Sequence, residues 1–194
     1  MIFKKYFKNV LFRHLFKSTF YVLFSEDPCQ EYNILDESSR NKNYVDNAIY
    51  YCDQEYDLKH GELNPHLHLT SWKGPGWYRF MEPAGTQLIE YEHITGQGQC
   101  SAMLQVYLVG DHNSIQMGEI VDREVCMFNS NIFNQNGNAC VDPYYAYYPY
   151  HTINIKIKKC EEHKWIGEHV WLPFYVYELP DVPICVVRYC GVVI

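Results

Sequence analysis

The sequence predicts a β-rich, mainly antiparallel single domain, stapled by disulfides and carrying long loops. Three observations point to it. Eight cysteines fall between Cys29 and Cys190, at wide spacing and with no Cys-x-x-Cys pair. Short runs of β-branched and aromatic residues recur from Trp77 onward, separated by turn signals. After residue 25 no stretch carries apolar residues at helical spacing for long enough to build a helix.

Residues 1–25 stand apart from the rest. They carry Lys4, Lys5, Lys8, Arg13 and Lys17 and no acid, and Phe3, Phe7, Leu11 and Leu15 recur every fourth position. A helix here would be amphipathic. Three readings stay open: a signal peptide with a short apolar core, an upstream stretch of a longer protein, and a basic helix lying on a membrane surface. Its longest uncharged stretch, Ser18 to Ser25, is far too short to span a bilayer.

The folded region is expected to begin at Ser25-Glu26-Asp27-Pro28, where Pro28 forces an extended predecessor. Segment 36–47 is polar and reads as a loop. Lys59 to Gly76 is rich in Gly, Pro, His and Asn and reads as another. Strands are then expected at Trp77–Met81, Gln87–Glu92, Met103–Val109, Ile120–Phe128, Thr152–Lys159, Val170–Leu179 and Cys185–Val193. Thr152–Lys159 alternates cleanly, with Ile153, Ile155 and Ile157 on one face and Asn154, Lys156 and Lys158 on the other. That is a half-buried strand. Pro173 marks an edge or a bulge in the run that contains it. Turns are expected at 96–98, 136–138 and 180–183.

The charge balance narrows the function classes. The whole chain has a formal net charge of −7, and the basic N-terminus makes the remainder more acidic still. Binding to a phosphate backbone needs clustered Lys and Arg, so a nucleic-acid partner is not expected. Membrane contact is expected only through residues 1–25.

Cys29, Cys52, Cys100, Cys126, Cys140, Cys160, Cys185 and Cys190 read as a disulfide framework in an oxidising compartment. Structural zinc uses paired knuckles of closely spaced cysteines, and only Cys185 and Cys190 lie close together. A catalytic thiol would be the odd one out, and an even count leaves none over. Sequence alone does not choose among about a hundred possible connectivities.

These residues resemble a known module. Asp27-Pro28-Cys29 is followed by Tyr32, Leu35, Asp36 and Arg40, then Cys52-Asp53 and Gly76-Trp77-Tyr78-Arg79-Phe80. Cys100 precedes Tyr107-Leu108, Gly110, His112 and Gly118. Cys126 and Cys160 come next, then Tyr175-Val176-Tyr177 with Leu179, and Cys185 with Tyr189-Cys190. In this order they are similar to the eight-cysteine domain of uromodulin and its relatives, over residues 26–191. The resemblance implies a secreted or cell-surface, non-enzymatic module with four internal disulfides, placed in a larger protein beside EGF, zona pellucida or von Willebrand type domains. In some relatives the domain carries glycans that bacterial adhesins recognise. The chain departs from that pattern in three ways. Glu55–Pro75 is an insertion, Tyr107 and Asn113 replace a Trp and a Pro, and there is no Asn-x-Ser/Thr sequon. The missing sequon argues against glycan display.

Four groups could carry chemistry or contacts. Trp77, Tyr78, Arg79 and Phe80 would alternate along a strand, with one face buried and Arg79 stacked on an aromatic or paired with an acid. Tyr144, Tyr145, Tyr147, Tyr148 and Tyr150 cannot all point inward and are the expected ligand contacts, since exposed tyrosines suit a sugar ring or a protein partner. His60, His66 and His68, with Glu62, sit in the inserted loop but lack a fixed metal-binding spacing. Glu90-Tyr91-Glu92-His93 and Glu161-Glu162-His163 supply acids and bases, with Glu90 and Glu92 on one strand face. No hydrolase, zinc-protease or phosphate-loop motif accompanies them. The expectation is therefore an extracellular interaction or adhesion module with a protein or glycan partner, not an enzyme, and with no catalytic residue, cofactor or metal. A lectin-like carbohydrate binder is the alternative, and a metal-dependent enzyme the third reading.

Overall fold

The computed structural model describes residues 27–45, 51–54, 56–57, 62–63, 70–93, 99–102, 104–128, 152–165, 169–183 and 187–194. Eleven strands occur among them: β1 (Asn33–Leu35), β2 (Tyr56–Asp57), β3 (Glu62–Leu63), β4 (Gly76–Phe80), β5 (Gln87–Leu88), β6 (Leu104–Leu108), β7 (Ile120–Phe128), β8 (Thr152–Trp165), β9 (His169–Leu179), β10 (Val187–Tyr189) and β11 (Gly191–Val192). Seven form one sheet in the order β1-β4-β9-β8-β7-β6-β10. Its centre is antiparallel. Both outermost pairs, β1 with β4 and β10 with β6, are parallel. Two small antiparallel ribbons, β5 with β11 and β2 with β3, complete the pairing.

Most of the expected strands lie where the alternation put them. β7 has the expected limits, and β8 and β9 run further toward each other, pairing from Lys156↔Glu178 to Trp165↔His169. The run expected over Gln87–Glu92 is shorter: it leaves regular pairing after Leu88, bridges once at Glu90 and turns through a 3-10 segment at Tyr91–His93. Glu90 and Glu92 therefore do not share a strand face. The run at the C-terminal end divides into β10 and β11, which join different sheets. Pro173 pairs only with Glu161 of β8, because β4 reaches β9 no further than Tyr177. At that height β9 is locally an edge, where a missing N–H costs nothing.

One face of the large sheet holds the main core. Leu35, Tyr78, Phe80, Val106, Leu108, Val125, Ile155, Ile157, Tyr175, Tyr177, Leu179, Val187 and Tyr189 point into it. Trp72, Ala84, Leu88, Ile115 and Val182 close over them from the connecting segments. Four core tyrosines fasten those segments with their hydroxyls. Tyr78 donates to Gly74 O and accepts from Lys73 N, and Tyr175 donates to His112 O. Tyr177 accepts from Leu88 N, and Tyr189 donates to Pro180 O. A tyrosine buries a large apolar body and still places one polar atom where a loop backbone needs a partner.

The opposite face carries two smaller clusters, each built on a disulfide. Cys29–Cys160 joins Tyr32, Trp77, Phe174 and Val176. Cys100–Cys190 joins Ile89, Tyr107, Cys126 and Val192. The bridged Cα atoms lie 5.6 Å and 5.9 Å apart, an ordinary span for a disulfide. Cys52 and Cys126 are disulfide-bonded as well, and no cysteine is free among the described residues. Cys140 and Cys185 lie outside the described residues, as do residues 1–26.

Candidate functional site

Arg40 is the hub of the first cluster of functional groups. It ends a 3-10 turn at Ser38–Arg40, which aims its side chain inward. Its Nη1 and Nη2 donate to Asp53 Oδ2 and Oδ1 at 2.7 Å and 2.6 Å, and its Nε donates to Glu37 Oε2 at 2.8 Å. Arg40 Nη1 also reaches Tyr189 O, while Tyr189 N donates to Asp53 Oδ2. Backbone bonds from Asp53 N to Val187 O and from Val182 N to Asp53 O complete the junction. Arg40 and Asp53 are fully buried. The guanidinium is planar and always charged, so it matches a carboxylate in this two-bond geometry.

Glu37 and Arg188 extend the cluster. Ser71 donates to Glu37 from both its backbone N and its hydroxyl. Burial opposes ionisation of Glu37, but Arg40, the Ser71 bonds and Arg188 outweigh it and hold the carboxyl at about 2. Arg188 Nη1 donates to Ser39 O, Ser39 Oγ and Cys100 O, and its guanidinium lies over Tyr51. Burial first, and then repulsion from Arg40, push the Arg188 guanidinium below its ordinary value. The cluster thus joins five chain segments, around residues 37–41, 51–53, 71, 100 and 187–190. Arg188 Nε and Nη2 make no hydrogen bond among the described residues, and Nη2 lies 3.6 Å from Glu37 Oε1.

The Trp77–Phe80 block occupies β4. Tyr78 and Phe80 enter the main core, and Trp77 and Arg79 lie on the opposite face. Arg79 stacks on Phe174 at 3.8 Å from the ring centre and donates to Glu162 Oε2 at 2.7 Å and to Tyr32 Oη at 3.0 Å. Burial works against its charge, while Glu162 and Tyr32 raise its pKa overall.

A third cluster surrounds Glu90, which is 5% exposed. Glu90 Oε1 accepts from the backbone N of His112 at 2.8 Å and contacts His112 Nδ1. His112 Nε2 meets Tyr177 Oη at 2.8 Å. Burial pushes the His112 imidazole down and outweighs the pull of Glu90. A neutral ring that donates from Nδ1 and accepts at Nε2 satisfies all of these bonds.

On the outer surface, register aligns Trp77, Glu178, Lys156 and Asp122 across β4, β9, β8 and β7. Lys156 pairs with Glu178 at 2.5 Å. Beside this row lies a groove of about 440 Å³, lined by polar Asp122, Asn154, Lys156 and Glu178 and by Pro75, Leu179 and Pro180. Sequence reasoning did not single out this groove, nor the Arg40–Asp53 and Glu90–His112 pairs. The only early signal for them was the presence of Arg40, Asp53 and His112 among the residues that carried the resemblance. Tyr144, Tyr145, Tyr147, Tyr148 and Tyr150, and His60, His66 and His68, lie outside the described residues.

Among known proteins, the chain is similar to the pancreatic secretory granule membrane major glycoprotein GP2 of dog, at 29% identity over 86% of this chain and 23% of the relative. The mouse protein of the same name is 26% identical over 84% of this chain and 23% of its own length. Rat uromodulin is 27% identical over 87% of this chain and 19% of its own length. The chain therefore spans only about a fifth to a quarter of the curated relatives it matches. Disulfides persist in secreted and cell-surface proteins, and together with these relatives they make the domain extracellular. Residues 78–191 match the family model of the uromodulin-like eight-cysteine domain, so the chain belongs to that family.

Proposed function

We propose that residues 26–191 form a non-enzymatic interaction or adhesion module of a larger extracellular glycoprotein. One observation carries this reading: the buried charged side chains in the described clusters are engaged with one another and with backbone. Arg40, Asp53, Glu37 and Arg188 tie distant segments together, and Arg79 is held between Phe174 and Glu162. A catalytic group must reach substrate, and these groups hold the scaffold instead. The display surface is assigned, on residue types, to the tyrosines of 144–150 and to the inserted loop 55–75 apart from Thr70 and Trp72, which are buried.

A lectin-like reading is favoured by one feature, the open groove beside Asp122, Asn154, Lys156 and Glu178. It combines donors and acceptors as sugar hydroxyls require. A glycan array probed with the disulfide-intact protein separates the two. Selective glycan signal that Asn154→Ala and Asp122→Ala reduce supports the lectin reading. Absence of glycan signal, with retained binding to extracellular-matrix or cell-surface protein that a combined Tyr144→Ser, Tyr147→Ser and Tyr150→Ser variant weakens, supports the protein-binding module. Turnover of a substrate by the purified chain would sink both.

A further inference from the structure

The turn at 90–93 brings three potential ligands together. Glu90, Glu92 and His93 each offer one donor atom, all within 4.8 Å of one another. His93 Nε2 lies 3.8 Å from Glu90 Oε2 and 3.6 Å from Glu92 Oε1. Ligands around a tetrahedral Zn²⁺, each roughly 2.0–2.1 Å from the ion, sit about 3.3 Å apart. Shifts of a few tenths of an ångström bring both distances from His93 to that value. Glu92 and His93 can supply them, being 75% and 30% exposed at their side chains.

The third ligand, Glu90, is already fixed. Its Oε1 is held by the backbone and ring of His112, and the far side of that ring is held by Tyr177. Its Oε2 makes no hydrogen bond among the described residues and points to the His93 ring. A buried carboxylate with one oxygen anchored and the other free is what outer-shell bonds supply to a metal ligand. No Lys or Arg pairs with Glu90 or Glu92 among the described residues; Glu90 meets the rings of His112 and His93, and Glu92 meets His93.

We propose that Glu90, Glu92 and His93 bind one divalent transition-metal ion, of which Zn²⁺ is the fitting example. The imidazole favours zinc over calcium, which takes oxygen ligands in larger number. Three protein ligands leave a position for water or for a donor from a partner. This site stands independently of the adhesion reading. It uses none of the inserted-loop histidines, and its ligands fall within four residues, 90–93, of one turn.

The test is titration of ZnCl2 into the metal-free, non-reduced full chain, followed calorimetrically and by equilibrium dialysis. Intact disulfides remove the thiols that would otherwise compete. One ion per chain is expected. His93→Ala and Glu92→Gln should each weaken binding at least tenfold while near-UV circular dichroism stays unchanged. A His60→Ala, His66→Ala and His68→Ala triple variant should bind as the parent does. The proposal is overturned if the parent binds no zinc at millimolar concentration. It is equally overturned if His93→Ala leaves the affinity intact, or if the loop variant alone abolishes binding.

Discussion

Arg40 and Asp53 form a fully buried, two-bond ion pair at 2.6 Å and 2.7 Å. Asp53 also accepts the backbone N–H of Tyr189, so the pair locks the C-terminal strand region against the segment after Cys52. Removing one partner strands the other charge in the interior. Asp53→Ala should therefore destabilise the domain by about 3–5 kcal/mol. Urea denaturation checks this. An Arg40→Met, Asp53→Ala double variant should lose less than the sum of the two single changes, because neither member of the pair is left buried without the other.

Glu37 makes stability depend on pH at the acid end. Its folded carboxyl titrates at about 2, below the ordinary glutamate value near 4.3. A lowered carboxyl stabilises the fold in full above its unfolded value. That contribution, on the order of 3 kcal/mol, should fade as pH falls from about 5 to about 2. Denaturation midpoints measured across that window should flatten in Glu37→Gln. A parent curve as flat as the variant's would show that Glu37 is not the group responsible.

The two described disulfides should behave differently. A non-reducing peptide map should join Cys29 to Cys160 and Cys100 to Cys190, and a map joining either to another cysteine contradicts the fold. Their sequence separations of 131 and 90 residues correspond to about 4–5 kcal/mol each in the chain-entropy account. Cys100→Ser with Cys190→Ser should lower global stability, since both sulfurs are buried among Ile89, Tyr107 and Val192. Cys29→Ser with Cys160→Ser should mainly release the segment around Tyr32, seen as faster amide exchange there.

Gly191 sits where no side chain fits. A Cβ there would lie 2.3 Å from Ala84 O and 2.9 Å from a ring carbon of Phe80. The Ala84 oxygen is backbone in a segment already bound to Met81, so it cannot swing aside. Gly191→Ala should cost roughly 1–3 kcal/mol or more, read as a drop in Tm. Val193→Ala, two residues on and half-exposed, should leave Tm within about 1 °C.

The large sheet was legible because alternation reports one buried face directly. Ile155 and Ile157 against Asn154 and Lys156, and Tyr78 and Phe80 against Trp77 and Arg79, need no knowledge of neighbours. The short edge strand β1 was not legible, and β10, though inside the run expected over Cys185–Val193, was not distinguished from β11. β1 and β10 each hold three residues and pair in parallel with a distant strand, Asn33 with Tyr78 and Val187 with Leu104. The alternation at Glu90-Tyr91-Glu92 misled for the same reason. Pairing ends there because the chain turns, and nothing in the local pattern records that turn.

By itself, the sequence determined the class of this protein: a strand-rich, disulfide-framed extracellular domain of the uromodulin type. Cysteine number, alternation and ordered motifs are properties of the chain read in one dimension. The tertiary structure alone decided which cysteines meet and that Arg40 faces Asp53. It also decided that Glu90 is anchored by His112 while its second oxygen turns to His93. Such contacts depend on distances between segments far apart in the chain, and only the folded packing of the sheet and its covering loops sets those distances.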